Sequence, residues 1–467
     1  MSDIPLTGRW VAAAVGGAIV AGDAGLTFGG VSIDTRTLAP GDLYVGIRGE
    51  RFDGADFAPS AVDAGAAGVV VPRGRGREVA GGPAVVIEVD DTTAALQSLA
   101  HRVRTESGSK VVAITGSAGK TTTKEITAEF LGARYRVIRN RGNFNNHIGL
   151  PLSLVELRRR PEIAVVELGM NHAGEISTLV RIAEPEVRVW TNVGEAHLGF
   201  FASLDAIADA KAEIFEGAGP RTVLVANADD DRIVRRAPRF AGRVVTFGID
   251  RPADVRAVEV GDRGIDGIAA RVATPRGEVA LETPLVGRGN LANLLAGVAV
   301  AVEFDVPLEA MADRARTLAP ASRRGEVVRL GRGVTVVDDS YNANPTATRK
   351  ALDVIAGARG AGRKVAVLGE MLELGDEAVR LHEAVGRAAA GARLDLLLTI
   401  GGAPARALAA AAIEAGLARD RVRHFETSEE ASEAAARLLA PGDLVLVKGS
   451  RGVRTDRVVD RIRAEFA

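Results

Sequence analysis

The residues with the clearest chemical capacity lie in the run Ile114-Thr-Gly-Ser-Ala-Gly-Lys-Thr-Thr-Thr-Lys-Glu125. An apolar strand runs into a Gly-rich turn, and Lys120 and Thr121 open a helix. Backbone N–H groups at such a junction cradle phosphate oxygens. A lysine at position 120 reaches terminal phosphates, and the Thr121 hydroxyl can ligate Mg2+. Ile114 stands where the full G-x-x-x-x-G-K-[ST] pattern has its first glycine, so the match is partial. The strand and helix context nevertheless points to a nucleoside triphosphate site.

Three further residues recur near strand ends. Glu167 lies in the apolar run Val165 to His172, where open α/β sheets place ligands. A carboxylate there needs a partner, and Mg2+ beside a triphosphate supplies one; the bland alternative is an edge-strand Glu facing water. His197 closes the run Trp190-Thr-Asn-Val-Gly-Glu-Ala-His197 just past another strand. A lone His is more often structural, but paired with Glu167 it points to a metal site. Lys211 follows on a helix, the only Lys between 124 and 350. Seven of the 59 basic residues are Lys, at positions 110, 120, 124, 211, 350, 364 and 448, so Arg fills nearly every other basic position. A task that needs a primary amine is therefore plausible for Lys211. In the last third, Asp338-Asp-Ser-Tyr-Asn-Ala-Asn-Pro345 joins a strand to a helix, and Arg323-Arg324 precedes it. These offer carboxylates to ribose and a guanidinium to a γ-phosphate, although the same residues also make ordinary caps and turns.

The elements that must position these groups follow from the pattern. A length of 467 residues implies about three domains, and 47% apolar with 25% charged residues implies folded cores. The formal net charge of -1 gives none of the basic excess of a dedicated nucleic-acid binder. The absence of Cys excludes disulfides, thiolate metal sites and a Cys nucleophile. No apolar run reaches the roughly 18 to 20 residues of a membrane helix. The Ala/Gly/Val stretch Trp10 to Gly22 reads as a first amphipathic helix ending at Gly16-Gly17, not as a secretion leader. Residues 1–108 read as short β and α units. From Lys110 continuous apolar runs at 111–114, 163–168, 187–193 and 222–226 suit strands buried on both faces. Residues 252–286 suggest antiparallel edge strands, and strands at 335–338, 364–368, 394–400 and 444–447 imply a second α/β sheet of the dinucleotide-fold type. The expected fold class is α/β: a small N-terminal domain, a central P-loop-type mostly parallel sheet, and a Rossmann-like C-terminal domain.

TGSAGKTTTKE, NFNNHIGLPLSL (Asn143 to Leu154), VVELGMNHAGEI, TNVGEAHLGFF, AKAEIF, NLANLLA, DDSYNANP and LGEMLELG occur in an order that resembles the Mur ligases. SIDTRTLAPGDLYVGIRGERFDGADF is similar to that family's uridine-nucleotide domain, so the resemblance spans most of the chain. Within the family it points to the members that join D-alanyl-D-alanine to UDP-N-acetylmuramoyl-tripeptide with ATP in cytoplasmic peptidoglycan synthesis. The domains implied are 1–108 for the UDP-muramoyl peptide, 109–318 for ATP, and 319–467 for the incoming dipeptide. Gly116, Ser117, Ala118, Gly119, Lys120, Thr121 and Thr122 would hold the ATP phosphates. Thr121 and Glu167 would share one Mg2+; Glu167, His197 and a CO2-derived carbamate on Lys211 would hold a second. Asn290 and Asn293 match the family's asparagines near adenine, but Gly289 stands where the family commonly has His. Arg324 and Asp339 would meet the γ-phosphate and ribose. Ser32, Thr35 and Arg36 are assigned to the uridine diphosphate, Asn145 and Asn146 to the muramoyl peptide, and Glu370, Ser450 and Arg451 to the dipeptide.

The same resemblance implies a monomer with no nucleic-acid partner and no stable membrane insertion. The nearest rivals are the ligase for the third peptide residue and folylpolyglutamate synthetase. The chain has no D-N-P-R run, which marks the former. A non-catalytic nucleotide scaffold or mechanical ATPase would need the phosphate loop but not Glu167, His197 and Lys211 together.

Overall fold

The structure is a computed structural model and describes residues 2–79, 82–140, 142–360 and 362–467. The chain divides into two compact units. One comprises Met1–Ala113, Tyr135–Met170 and Gly174–Glu186; the other comprises Ile114–Arg134, Asn171–Ala173 and Val187–Ala467.

In the first unit, helix α1 (Gly8–Val15) starts where the Thr7 hydroxyl accepts from the Trp10 amide at 3.2 Å, and stops at left-handed Gly16. The expected opening helix thus ends at the first glycine of the pair. The rest of that apolar run, Ala18–Ala21, is strand β1 instead. Strands β2 (Val31–Ser32), β3 (Leu43–Val45), β4 (Gly68–Pro72) and β5 (Val85–Val89) complete a sheet of order β1-β5-β4-β3-β2. It is parallel except for β1. Helices α2 (Ala58–Asp63) and α3 (Thr92–Ser107) pack on β4. Asp91 caps α3 by accepting from the amides of Thr93 and Ala94, and left-handed Gly108 ends it at the expected linker.

Strand β6 (Lys110–Thr115) and helix α4 (Lys120–Leu131) come next in the chain. The first unit then adds β7 (Val137–Arg139), helix α5 (Gly149–Val155), β8 (Ile163–Glu167) parallel to β7, and helix α6 (Glu175–Ala183). Arg104 of α3 is buried, and its fork donates to the carbonyls of Ala183, Ser109 and Glu184 and to the Glu186 carboxylate.

In the second unit, β9 (Val187–Trp190), β10 (Val223–Asn227), β11 (Arg243–Gly248) and β12 (Val255–Asp262) run parallel in sequence order. Helices α7 (Leu204–Ala212) and α8 (Asp231–Arg236) lie in the crossovers. The edge turns antiparallel through β13 (Ile268–Thr274) and β14 (Gly277–Thr283), as the Gly- and Asp-broken alternation implies. Helix α9 (Gly287–Glu303) packs along α4; the next helix is α10 (Leu308–Arg316).

The C-terminal part alternates β15 (Glu326–Arg329), β16 (Thr335–Asp339), α11 (Pro345–Gly357), β17 (Lys364–Gly369), α12 (Ala378–Gly391), β18 (Leu396–Ile400) and α13 (Ala403–Glu414). It ends with β19 (Val422–Phe425), α14 (Ser428–Leu438), β20 (Leu444–Lys448) and α15 (Asp456–Glu465). Its sheet has the order β15-β16-β20-β17-β18-β19, parallel except for β15. Period-two alternation feeds a core on each face. Val365 and Val367 of β17 join Val445, Val458 and Ile462, whereas Ala366 and Leu368 join Leu352, Leu381 and Leu397. Both faces are covered, which explains why these strands read as unbroken apolar runs. The expected α/β class is what the chain adopts. No helix among the described residues is long and apolar enough to cross a membrane.

Truncating Arg104 removes the donor to the buried carbonyls of Ala183 and Ser109 and to the part-buried carbonyl of Glu184, and one of the donors to the Glu186 carboxylate. Arg104→Ala should cost about 3 kcal/mol of stability, read as a lowered urea midpoint in equilibrium unfolding.

Candidate active site

The loop between β6 and α4 is shaped by residues just beyond β9. The Thr191 amide donates to the Thr115 carbonyl at 3.0 Å, so Thr115 and Thr191 are fixed side by side. Asn192 then clamps the Ala118 peptide from both ends: its Oδ1 accepts from Ala118 N and its Nδ2 donates to Ala118 O, each at 2.9 Å. The Thr191 hydroxyl donates to the same carbonyl at 2.8 Å. Ser117 Oγ donates to the Gly194 carbonyl and accepts from the Gly194 amide. Ser117 is therefore spent on holding the loop.

Two glycines are obligatory here. A Cβ on Gly116, at φ +148°, would lie 2.0 Å from Thr191 Oγ1, and one on Gly119, at φ +82°, would lie 2.3 Å from Asn293 Oδ1. Left-handed Gly119 opens α4, whose start carries no side-chain cap. Lys120 Nζ crosses the loop to donate to the Gly116 carbonyl at 2.9 Å. A strand, a Gly-bounded loop and an uncapped helix start carrying Lys120, Thr121 and Thr122 form the geometry of a phosphate cradle.

Lys211, on the last turn of α7, is 2% exposed. Burial pushes its amine well below the ordinary lysine range, and the Lys120 cation lowers it further. Its amine therefore gives up its proton far more readily than a surface lysine does. His197 has left-handed backbone, φ 62°, and its Nδ1 lies 2.6 Å from Glu373 Oε2. That bond holds Glu373 below the usual carboxylate range. Among the described residues no three His, Asp or Glu side chains gather as a metal cage. The expected set contains only two such residues, the other donors being Thr121 and Lys211.

Glu167 belongs to the first unit, at the end of β8. It is 3% exposed, which rules out the water-facing alternative. Its Oε1 accepts from Asn145 Nδ2 at 2.7 Å, and its amide donates to Asn140 Oδ1 at 3.1 Å. Gly169 makes room for this, since a Cβ there would meet the Asn145 amide at 2.8 Å. Asn146 instead accepts from the Gly149 amide at the start of α5. In the same unit Ser32 Oγ accepts from the Asp34 amide, Thr35 lies in the same turn, and exposed Arg36 pairs with Asp34. A cleft of about 600 Å³ between α1, α3 and α6 is lined by Trp10, His101, Arg102 and Arg181 but by none of the expected site residues.

The remaining residues lie in the second unit. Asn293 Oδ1 accepts from Thr123 Oγ1, and its Nδ2 donates to Asn290 Oδ1, so the two asparagines of α9 are tied to each other and to α4. The Arg324 guanidinium stacks 3.9 Å over the Tyr341 ring, with Arg451 5.8 Å from the same ring. Asp339 is held by buried Lys448 at 2.6 Å. Glu370 Oε2 accepts from the Gly402 amide, and Ser450 Oγ accepts from the Leu372 amide. Those two groups serve the local fold in this arrangement. The sequence reading missed Thr191, Asn192, Asn140 and Glu373, although all lie in or beside motifs it singled out. The missing signal was which amide or carboxylate in each motif would face another strand's loop.

A phosphate cradle on a mostly parallel sheet, a buried low-affinity amine and a second parallel α/β sheet together define a phosphate-loop α/β enzyme. Family models agree in chain order: "Mur ligase family, catalytic domain" matches residues 27–104, "Mur ligase middle domain" 114–301, and "Mur ligase, glutamate ligase domain" 323–451. The UDP-N-acetylmuramoyl-tripeptide–D-alanyl-D-alanine ligase of Bacillus subtilis is 35% identical over 92% of this chain and 92% of its own. A crystal structure of MurF from Acinetobacter baumannii superposes with a TM-score of 0.88 at 30% identity, covering 99% of this chain and 100% of that one. MurF ligase from Thermotoga maritima, solved in complex with ADP, gives 0.80 at 28% identity over 93% of this chain and 97% of that one. The chain belongs to the Mur ligase family.

Because Gly116 leaves no space for a methyl group, Gly116→Ala should cost about 1–3 kcal/mol of stability. Thermal unfolding would show it, and nucleotide titration should show weakened binding in the folded fraction.

Proposed function

We propose that this chain joins D-alanyl-D-alanine to the C-terminal carboxylate of UDP-N-acetylmuramoyl-tripeptide, consuming ATP and yielding the UDP-muramoyl-pentapeptide of peptidoglycan synthesis. The observation that carries the reading is likeness over nearly the whole chain to ligases named for that reaction. The preference over the third-residue ligase and folylpolyglutamate synthetase rests on the same likeness. We place the nucleotide-sugar peptide on residues 1–108, ATP on 109–318 and the dipeptide on 319–467, in a monomer working in the cytoplasm.

A carboxylate is too poor an electrophile to acylate an amine in neutral water. Transfer of the γ-phosphoryl group to it gives an acyl phosphate with a good leaving group. The dipeptide amine attacks the carbonyl carbon, and the tetrahedral adduct expels phosphate as the amide forms. The chain's tasks are positioning and neutralising charge. Gly116 to Thr122 would wrap the phosphates, with backbone N–H groups offered at the start of α4 beyond the clamped Ser117 and Ala118 amides, and Lys120 swings from the Gly116 carbonyl to the terminal phosphate. Arg324 and Asp339 serve the γ-phosphate and ribose, and Asn290 and Asn293 the base. Ser32, Thr35 and Arg36 serve the uridine diphosphate, with Asn145 and Asn146 on the peptide. The dipeptide end is assigned to Glu370, Ser450 and Arg451.

Two Mg2+ would be held, one by Thr121 and Glu167 and the other by Glu167, His197 and a carbamate on Lys211. When bound, they offset charge on the transferring phosphoryl group. The carbamate requires a neutral amine to add to CO2, which is the state burial favours for Lys211. A nucleotide scaffold has no use for such an amine.

Phosphate release should require ATP, D-alanyl-D-alanine and a UDP-muramoyl-tripeptide together; running the assay with meso-diaminopimelate and L-lysine tripeptides also identifies the third residue. ATP turnover with neither substrate would favour a mechanical ATPase and overturn the reading. Lys211→Arg should lose at least about a hundredfold in kcat, since one missing charge-stabilising group costs that much, and acetate should partly rescue Lys211→Ala. Full activity of Lys211→Arg would eliminate the carbamate.

A further inference from the structure

We infer that Glu373 is a positioning residue for His197: a carboxylate brought by the C-terminal sheet that fixes the imidazole's tautomer and aim. This rests on the proposed ligase reading, in which His197 holds a metal. Glu373 Oε2 lies 2.6 Å from His197 Nδ1. With a carboxylate accepting there, Nδ1 carries the proton and Nε2 presents its lone pair. Metal-binding imidazoles commonly carry such a partner on the far nitrogen.

The backbone on both sides is built for this bond. His197 and Glu373 are both left-handed, at φ 62° and 64°, a region that side-chain-bearing residues rarely adopt and keep only where their surroundings enforce it. The Gly199 amide donates to the Glu373 carbonyl at 2.8 Å. Gly199 and Gly375 meet so closely that a Cβ on either would come within 2.9 Å of the other's backbone. Behind Glu373, fully buried His382 accepts from the Met371 amide through Nε2 at 2.9 Å and donates to the Ala378 carbonyl through Nδ1 at 2.7 Å. Ser450 Oγ holds the Leu372 amide at 2.9 Å. The segment carrying Glu373 is therefore rigid, and a rigid support serves to aim a side chain.

His197 and Glu373 are 176 positions apart in the chain, on the central loop after β9 and on the loop after β17. The same central loop is tied a second time, where Glu195 accepts from Thr346 and pairs with Arg349 at 3.0 Å on α11. Docking of the C-terminal sheet and orientation of the His197 ring are thus one event. An undocked C-terminal part leaves the imidazole free to rotate and to change tautomer.

The test uses Glu373→Gln, which keeps shape and an accepting oxygen, and Glu373→Gly, which removes the carboxylate but suits the left-handed backbone. Mn2+ affinity is measured by calorimetry on the full chain with ADP and no peptide substrate, alongside 15N shifts of the His197 ring and the Mg2+ dependence of phosphate release. Glu373→Gly should weaken Mn2+ binding about tenfold or more, raise the half-saturating Mg2+ by a similar factor, and shift the ring nitrogens away from the Nδ1–H pattern. Its melting temperature should not fall, and Glu373→Gln should lie between it and the parent chain. Unchanged Mn2+ affinity and ring shifts in Glu373→Gly overturn the inference. A parent chain that binds Mn2+ with ADP yet releases no phosphate with both substrates refutes the ligase reading alone.

Discussion

The arrangement depends on how the backbone of residues 116–119 is held open. A loop meant to wrap phosphate cannot spend its own amides on regular structure, so its shape must be imposed from outside. Thr191, Asn192 and Gly194 impose it, through the clamp on Ala118 and the exchange with Ser117. Those residues are placed by β9, whose fully buried Trp190 packs edge-on to Phe215 in the cluster with Leu224 and Phe240. Sheet packing therefore sets the loop's curvature, and the two glycines accept it because a side chain at 116 would collide with Thr191 and one at 119 with Asn293 of α9.

The same loop after β9 continues into Glu195 and His197, which reach the C-terminal part. The stretch Thr191 to His197, seven residues, thus shapes the Gly116–Gly119 loop at its start and holds the C-terminal sheet at its end. In the proposed reading, nucleotide binding and docking of the C-terminal sheet act on a common piece of backbone. A perturbation at either end has a short covalent route to the other, with no need for a long chain of side-chain contacts.

Much of this was legible in the sequence, and the limits have physical causes. Unbroken apolar runs located the strands of both parallel sheets because those strands are covered on two faces. The weak strands β7 and β19 escaped: Val137–Arg139 and Val422–Phe425 mix polar and partly exposed residues and give little periodic signal. Strand β1 was likewise not singled out: Ala18–Ala21 is only four residues long, although its β-branched Ile19 and Val20 suit the pairing with β5. For the proposed site, residue type singled out Lys120, Glu167, His197 and Lys211. Asn192 and Glu373 stayed hidden because their importance comes from partners 74 and 176 positions away. Ser450, assigned to the dipeptide, also accepts from the Leu372 amide, a contact that its residue type alone does not announce.

The scarcity of Lys carries a more general lesson than its two site residues. Lys124, Lys211 and Lys448 are all 3% exposed or less, and Lys124 and Lys448 are paired with Glu125 and Asp339. Arg is buried as well, but in a different manner. Arg104 and Arg188 spread their forks over carbonyls, where a planar five-donor group fits. Where Arg has taken most basic positions, Lys persists inside where the space admits one compact head group. A compact amine can also lose its proton under burial, which a guanidinium cannot do. Lys211 is shifted down by its burial and then by the Lys120 cation. Burial beside a like charge drives an amine toward neutrality. The sequence could mark these lysines as unusual; only their surroundings separate the paired Lys124 and Lys448 from Lys211, whose amine burial disfavours in its charged form.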